Sequence, residues 1–431
     1  MSSPAVAEST AVPAASRILY ASYEGQTVGE LQADDTGSLS FRYVDTWLDA
    51  GFPISLSLPL AEAVYGDEAH RFFVNLLPEG VIRQLIARRL GISEDNDWAL
   101  LEALGADCAG ALALSPQRSG HGEASYQDLS FEELHTIASA PHPGLAGIGG
   151  EGSIRLSLAG AQDKLPVLVT ESGDYQLPQG SAPSTHIIKF ANPEFAHLTA
   201  NEVFVTMLAR RLGLPVVSTG LDDRFDPPLC IVERYDRVTD ADGGVRRIHQ
   251  EDFCQALGLP HTRKYEAEGG PVVGRIHAAI EANCADPIGD TQALVRWMAF
   301  CVLAGNADGH AKNLSLLYDG SAPRLAPFYD LVCTRVYEGI NRRLAFSVAG
   351  ESDAGQIARV HWMQLGEHID ARPAYIVELV EQMTNILPDA LEETADGFRD
   401  TYGDAPILQM LPPVIRRQTR RTRDLLASPR R

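Results

Sequence analysis

Asn306-Ala307-Asp308-Gly309-His310-Ala311-Lys312-Asn313 is the stretch on which the reading of the fold turns. It sets Asp308 five residues before Asn313, just after the apolar run Trp297 to Leu303 and before the strand-like Leu314 to Tyr318. A loop between packed elements keeps polar groups both exposed and fixed. Phosphoryl transfer asks for few parts: a lysine on the phosphates, a base beside the attacking hydroxyl, and hard oxygen ligands for a metal. The catalytic loop of protein kinases spaces a base Asp and a metal-binding Asn at this interval. Alone the spacing is weak, and a turn or helix C-cap aspartate would also explain Asp308. Further on, Ala326-Pro327-Phe328-Tyr329-Asp330 puts an acid after an apolar run, like the metal-binding Asp of kinases. An N-cap is the plain alternative for Asp330.

Two upstream segments strengthen the case. Ser157-Leu158-Ala159-Gly160-Ala161-Gln162-Asp163-Lys164 lies between strand-like segments, where a loop over ATP phosphates would sit. Small residues there let backbone N–H groups approach phosphate oxygens. It is not the G-x-G-x-x-G of protein kinases. Thr185-His186-Ile187-Ile188-Lys189 then ends a β-run on a lysine, although an exposed strand-end lysine is the commoner role.

The surrounding chain reads as an α+β protein of several units. Ile18 to Phe41 alternates polar and apolar residues around turns at Glu24-Gly25 and Asp34 to Gly37, a β-meander. Ile54 to Leu60 alternates again and predicts one more strand. Helices are expected over Val81 to Leu90, closed by Gly91, and from Asn96 to Leu104. Residues 119–152, rich in Gly, Pro, His and Ser, read as a connection, apart from a helical run near Phe131 to Ala138. Strand-like segments at Arg155–Leu158, Leu165–Val169, His186–Lys189 and Leu229–Glu233 follow, interrupted by one long helix from Thr199 to Leu212. After Ile248 nearly everything has helical period. The expected layout is a disordered leader (1–16), an α+β N-terminal subdomain (17–118), a linker (119–152), a β-rich lobe (153–237) and a helical lobe (238–431), the bilobal plan of a kinase.

Composition narrows the classes. The 431 residues are 45% hydrophobic and 22% charged, an ordinary globular mix. No run is long enough to span a bilayer and Met1 to Ala15 lacks the parts of a signal peptide, so a cytoplasmic protein is expected. Six scattered cysteines without C-x-x-C suggest buried, reduced thiols. A formal charge of −21 opposes direct nucleic-acid binding over most of the surface. The exception is the tail, where Arg416, Arg417, Arg420, Arg421 and Arg423, followed by Arg430 and Arg431, form a solvated helix face or make a weak contact with nucleic acid or an acidic partner.

In order along the chain, AGAQDK (159–164), THIIK (185–189), VERYDR (232–237) and DGHAKN (308–313) resemble the HipA family of serine/threonine kinases, the toxin halves of bacterial toxin–antitoxin pairs. The resemblance extends to the N-terminal subdomain through Tyr23 to Phe41, Ser55 to Leu60, Phe73 to Gly80 and Gly105 to Leu112. It implies that Ala159, Gly160, Ala161, Gln162, Lys164 and Lys189 hold the ATP phosphates. Asp308 would take the substrate proton, and Asn313 and Asp330 would bind Mg2+. It implies that Glu233 and Tyr235 present backbone groups to adenine and that Asp236 reaches the ribose. Ser157 matches the serine this family phosphorylates on itself, where about −2 of added charge would repel ATP. The implied substrate is an aminoacyl-tRNA synthetase, glutamyl-tRNA synthetase being the expected type. The implied partner is a HipB-like helix-turn-helix antitoxin, through which the assembly meets operator DNA.

Some assignments stay open. Glu202 is expected as a surface helix glutamate, with pairing to Lys189 as the alternative and Glu194 also available. His310 and Lys312 either touch phosphate or cap the turn. A catalytically weak kinase fold serving mainly in a repressor complex is a second reading. A small-molecule kinase is a third, opposed by the long N-terminal subdomain and the AGAQDK loop.

Overall fold

The computed structural model describes residues 17–118, 123–146 and 162–428. The leader 1–16, the strand expected at Arg155–Leu158, the loop residues Ser157 to Ala161, and Arg430 and Arg431 lie outside the described residues.

The meander forms as read. Arg17–Tyr23, Gln26–Ala33 and Leu39–Tyr43 pair antiparallel, and Ala113–Ser115 returns beside the first strand to complete a four-stranded sheet. Asp34 shapes the second turn by accepting from the Thr36 and Ser38 amides at 2.8 and 2.9 Å. Helices Asp67–Val74, Gly80–Leu90 and Asp97–Leu104 pack on this sheet around Leu31, Phe41, Phe73 and Leu101, all buried. Asn96 caps the third helix through the Ala99 amide, 3.1 Å away.

Ile54 to Leu60 is no strand, contrary to its alternation. Ser55 and Leu58 close a tight turn, with the Leu58 amide 3.1 Å from the Ser55 carbonyl. Its polar groups find tertiary partners in place of a ladder. The Tyr43 hydroxyl donates to the Leu58 carbonyl at 2.6 Å, and Glu251 of the C-terminal half accepts from Ser55 Oγ (2.5 Å) and the Leu56 amide (3.0 Å).

The next sheet has six strands, in the order Ser125–Leu129, Tyr175–Gln179, Lys164–Val169, His186–Lys189, Leu229–Glu233 and Thr219–Asp222. Its first member corrects the linker reading of 119–152: residues 125–129 are an edge strand, and helix Phe131–Ala138 follows under a Ser130/Glu133 capping box. Polar loop composition hid a strand that needs a single partner. Helix Leu198–Arg211 carries the lobe's other face.

Beyond this lobe, helices Val273–Asn283, Pro287–Ala304, Arg359–His368, Pro373–Tyr402 and Ile407–Ala427 surround Trp297, Phe300 and Phe398. The same core takes in Val203 and Phe204, so the lobes share packing across the expected boundary at residue 237. Small antiparallel sheets interrupt the helical lobe, among them His249–Asp252 with Ser315–Tyr318, whose second strand follows the loop Asn306–Asn313. All six cysteines are buried thiols outside any disulfide. Among the described residues no helix is long and apolar enough to cross a membrane. On the last helix, Arg416 meets Glu392 at 3.2 Å, while Arg421 and Arg423 each donate to a backbone carbonyl at 2.6 Å. Arg417 and Arg420 face solvent.

A buried ion network joins the N-terminal subdomain to the segment between the lobes. Asp107 accepts from Arg237 Nη2 at 3.0 Å, Arg247 Nη2 at 3.1 Å and Ser184 Oγ at 2.8 Å, with Arg234 3.6 Å away. Asp236 takes both Arg234 Nε (2.9 Å) and Nη2 (2.7 Å), and the Gly110 amide at 2.7 Å. Burial by itself would raise the Asp107 pKa, but the guanidiniums of Arg234, Arg237 and Arg247 hold it well below the usual carboxylate range. Its contribution is therefore full above the unfolded aspartate's value and is lost as pH falls through the lower folded value. Asp107→Ala leaves buried guanidiniums uncompensated, and we expect a loss of about 3–5 kcal/mol in chemical denaturation. A change below ~0.5 kcal/mol would contradict the network's role.

Candidate active site

The two lobes and the N-terminal subdomain enclose one cleft of about 950 Å3. Lys189 enters it from the end of strand His186–Lys189, on the inward phase of a two-residue period. The lysine is 5% exposed, so the exposed strand-end alternative falls. Its Nζ donates to Glu202 Oε1 at 2.6 Å and to the Asp330 carboxylate.

Glu202 therefore corrects the surface reading. It is 2% exposed, because helix Leu198–Arg211 is buried on nearly every side over its first two turns. Glu194, the other candidate, is exposed in the preceding loop. Burial would lower the Lys189 pKa, but Asp330 and Glu202 hold it above its usual range. Asp330 is pushed down to about 2: desolvation opposes ionisation, and Lys189 and then Lys164 outweigh it. Glu202 lies above the usual carboxylate range through burial, despite the Lys189 charge. Lys164, also buried, is pushed down to about 8 by desolvation, with Asp330 acting against it. Gln162 reaches the Phe190 carbonyl at 3.0 Å on the same wall.

Asp330 sits at φ 54°, in the left-handed region that non-glycine residues rarely adopt. It is held there from several sides, which is the pattern of strain kept at a working site. Lys189 takes one oxygen, and Asn313 Nδ2 lies 3.3 Å from the other. Three residues on, Asn201 grips the Cys333 backbone twice, accepting from its amide at 2.8 Å and donating to its carbonyl at 3.1 Å.

The loop Asn306–Asn313 begins where Gly305, at φ 75°, ends helix Pro287–Ala304. Asn306 Oδ1 accepts from the Asp308 amide at 3.0 Å, and Asn313 Oδ1 accepts from the His310 amide at 3.0 Å. Gly309 is packed so that a Cβ would lie 3.0 Å from Cys301 Sγ and Trp297 Cζ2, which demands a small residue. Asp308 faces the cleft water while protein crowds its flanks. Desolvation pushes its pKa above the aspartate range, opposed by a 2.5 Å hydrogen bond from the Tyr265 hydroxyl.

The structure also resolves the open loop residues. Lys312 turns away from the cleft centre to Asn75 Oδ1 (2.9 Å), the Asn75 carbonyl (3.0 Å) and Asp252 Oδ2 (2.8 Å). It ties the loop to the N-terminal subdomain. His310 is buried and pushed down to about 3, chiefly by desolvation, so its imidazole is neutral. Glu233 and Tyr235 line the cleft where the chain passes between lobes; Glu233 gives its amide to the Ser218 carbonyl at 2.9 Å, and the Tyr235 ring stacks on Tyr329. Asp236 touches the same wall, but both carboxylate oxygens are engaged in the buried network, so the expected ribose contact is corrected to a structural role. Ser157, Ala159, Gly160 and Ala161 lie outside the described residues.

Among the described residues no group of three or more His, Cys, Asp and Glu could hold a metal. The Asp330 carboxylate offers hard oxygens of the kind magnesium accepts together with phosphate and water, while Asn313 turns its Nδ2 toward that carboxylate and its Oδ1 to the His310 amide.

Sequence reasoning missed Asn201, Tyr265, Asn75 and Glu79, which sit in stretches without catalytic spacing. Glu79 approaches Lys264 at 2.7 Å. A polar residue on the buried face of helix Leu198–Arg211 is the signal that would have marked Asn201.

The chain matches a HipA-like C-terminal domain model over residues 156–391 and a HipA N-terminal domain model over residues 19–115. It is 37% identical over 400 residues to Y4mE of Sinorhizobium fredii, a protein that carries a provisional kinase name, covering 89% of this chain and 94% of that one. It is 31% identical over 402 residues to the serine/threonine-protein kinase toxin HipA of Shewanella oneidensis, covering 90% and 88%. The solved complex of Shewanella oneidensis HipA, HipB and operator DNA superimposes with a TM-score of 0.82 at 27% identity, covering 94% of this chain and 99% of that chain.

The Asn201 grip has a measurable consequence. Asn201→Ala strips two buried hydrogen bonds from the segment after Asp330, a loss of about 1–3 kcal/mol. Amide exchange over residues 331–336 should quicken on the order of tenfold or more by mass spectrometry. Unchanged exchange there would show that the segment is held by other contacts.

Proposed function

Since this chain belongs to the HipA family of serine/threonine-protein kinase toxins, we propose that it transfers the γ-phosphoryl group of ATP to a serine of an aminoacyl-tRNA synthetase, glutamyl-tRNA synthetase being the expected type. The observation that carries the reading is the convergence of Lys189, Asn313 and Asp330 on one cleft, with Asp308 open to water on its floor.

In this reading Lys189 and Lys164 hold phosphate oxygens, helped by Gln162 and the backbone of Ala159, Gly160 and Ala161. Asn313 and Asp330 would hold Mg2+, whose charge would offset that of the transferring phosphoryl group. Asp308 accepts the proton of the serine hydroxyl as that oxygen attacks the γ-phosphorus and the bond to the ADP leaving oxygen breaks. Desolvation raises its pKa above the aspartate range, which makes the carboxylate a stronger base for that proton. Glu233 and Tyr235 orient adenine through backbone groups. Lys189 also neutralises Asp330, which keeps the carboxylate placed for the metal.

Phosphorylation of the synthetase would block it through added charge, slowing translation and causing growth arrest and persistence. Transfer to Ser157 would switch the kinase off. The complex in the Shewanella structure supports a HipB-like antitoxin as partner, with operator DNA met through it, in keeping with a chain of net charge −21. A cytoplasmic site of action belongs to the same reading.

Incubation with labelled ATP and Mg2+ tests this. We expect label on a synthetase and on Ser157, with Asp308→Ala slower by about 100-fold or more. No transfer, with Asp308→Ala matching wild type, would favour a catalytically silent member of a repressor complex. Label on soluble small molecules alone would point to a metabolite kinase.

A further inference from the structure

Tyr265 lies between two single 3-10 turns, His261–Arg263 and Glu266–Glu268, and reaches the centre of the site. Its hydroxyl donates to Asp308 Oδ1 at 2.5 Å, and among the described residues no other side chain donates to that carboxylate. Burial, then the Asp308 charge, holds the phenol well above its usual pKa, so it remains a donor throughout the working pH range.

The neighbours of Tyr265 are tied down on opposite sides of the cleft. Lys264 Nζ binds Glu79 of the N-terminal subdomain at 2.7 Å, and the Lys264 carbonyl accepts from the Ala311 amide of the catalytic loop at 3.1 Å. Glu266 accepts from Ser347 through both the backbone amide and Oγ, each at 2.7 Å, which fastens the segment to strand Arg343–Val348. The Tyr265 ring stands edge-on to His310, 5.1 Å between centroids. Behind it the chain doubles back so closely that a Cβ on Gly270 would lie 2.6 Å from the Tyr265 carbonyl oxygen, with Gly269 at φ 84°. A tyrosine that only filled space would not need anchors on both flanks and a turn that admits glycine alone.

We propose that Tyr265 is a positioning residue for Asp308: its hydroxyl fixes one carboxylate oxygen and leaves the other directed at the acceptor hydroxyl, while Lys264 and Glu266 hold the tyrosine in place. This rests on the assignment of Asp308 as the base. A hydrogen bond on one oxygen sets the rotamer of a short side chain that is otherwise free to turn in an open cleft. The cost of losing it falls on the attack geometry, and so on kcat, because the nucleotide-binding groups Lys189, Asn313 and Asp330 do not touch the phenol. The Lys264–Glu266 segment also gives the N-terminal subdomain a direct line to the reacting centre, through Glu79.

The test is steady-state kinetics on the full-length chain, following self-transfer and transfer to a synthetase, for wild type, Tyr265→Phe, Glu266→Ala, the double variant and Asp308→Ala. Phenylalanine keeps the ring against His310, and thermal unfolding checks that the fold survives. We expect Tyr265→Phe to lower kcat by about 10- to 100-fold, the range of a hydrogen bond to a charged group. The KM for ATP should stay within about twofold. Glu266→Ala should lower kcat less, and the double variant should be no slower than Tyr265→Phe, since both act through one hydroxyl. Wild-type kcat in Tyr265→Phe beside an inactive Asp308→Ala would overturn the positioning role and leave the base in place. Losses in the single variants that multiply would also overturn it, by showing independent effects. Wild-type activity in Asp308→Ala would remove the base itself and the proposal with it.

Discussion

A single buried lysine holds the site together. Lys189 lies between Glu202 on the N-lobe helix and Asp330 on the segment after residues 306–313; the lysine and Glu202 are buried, while Asp330 stays partly open to the cleft. Burying any of these charges alone would be strongly unfavourable, so each exists in its ionised or strained state because the others are present. The arrangement fixes a strand end, a helix and a left-handed backbone turn relative to one another. Asn201, one residue before Glu202, extends the same coupling to Cys333. Helix position and the placement of Asp330 are therefore linked by two kinds of bond on adjacent residues.

Among the described residues the N-terminal subdomain is tied to the later lobes by several polar contacts. Asp107 and Gly110 enter the network of Arg234, Asp236 and Arg237 between the lobes. Ser55 and Leu56 close on Glu251. Asn75 and Glu79 take Lys312 and Lys264 beside the catalytic loop. Each is buried or half-buried, and each would leave unpaired polar groups if the subdomain moved away. The subdomain thus forms part of the cleft wall and steadies the loop that carries Asp308.

Much of the architecture was legible in the sequence because it rests on local periodicity. The meander, the long N-lobe helix and the strand ending in Lys189 follow from two- and 3.6-residue patterns with glycines at their ends. Readings failed where tertiary partners override the local signal. Ile54 to Leu60 alternates like a strand, but Tyr43 and Glu251 supply its hydrogen bonds. Residues 125–129 look like linker, yet they pair as an edge strand. Glu202 was placed at the surface because one sequence does not reveal that a helix is covered on several faces. Asp236 shows the reverse: motif position suggested a ligand contact, and neighbouring arginines claim the carboxylate. Spacing located Asp308 and Asn313, while Tyr265 and Asn75 became visible only through contacts spanning 43 and 237 positions of chain.

Lys189, Asn313 and Asp330 converge on one cleft, proposed to take a nucleotide and its metal. The most direct measurement is a crystal structure of the full chain with a non-hydrolysable ATP analogue and magnesium. We expect phosphate oxygens on Lys189 Nζ, a magnesium ion held by Asn313 and Asp330, and Asp308 free of the nucleotide, facing the open side of the γ-phosphate. A nucleotide bound elsewhere, or a metal that ignores both residues, would contradict that assignment.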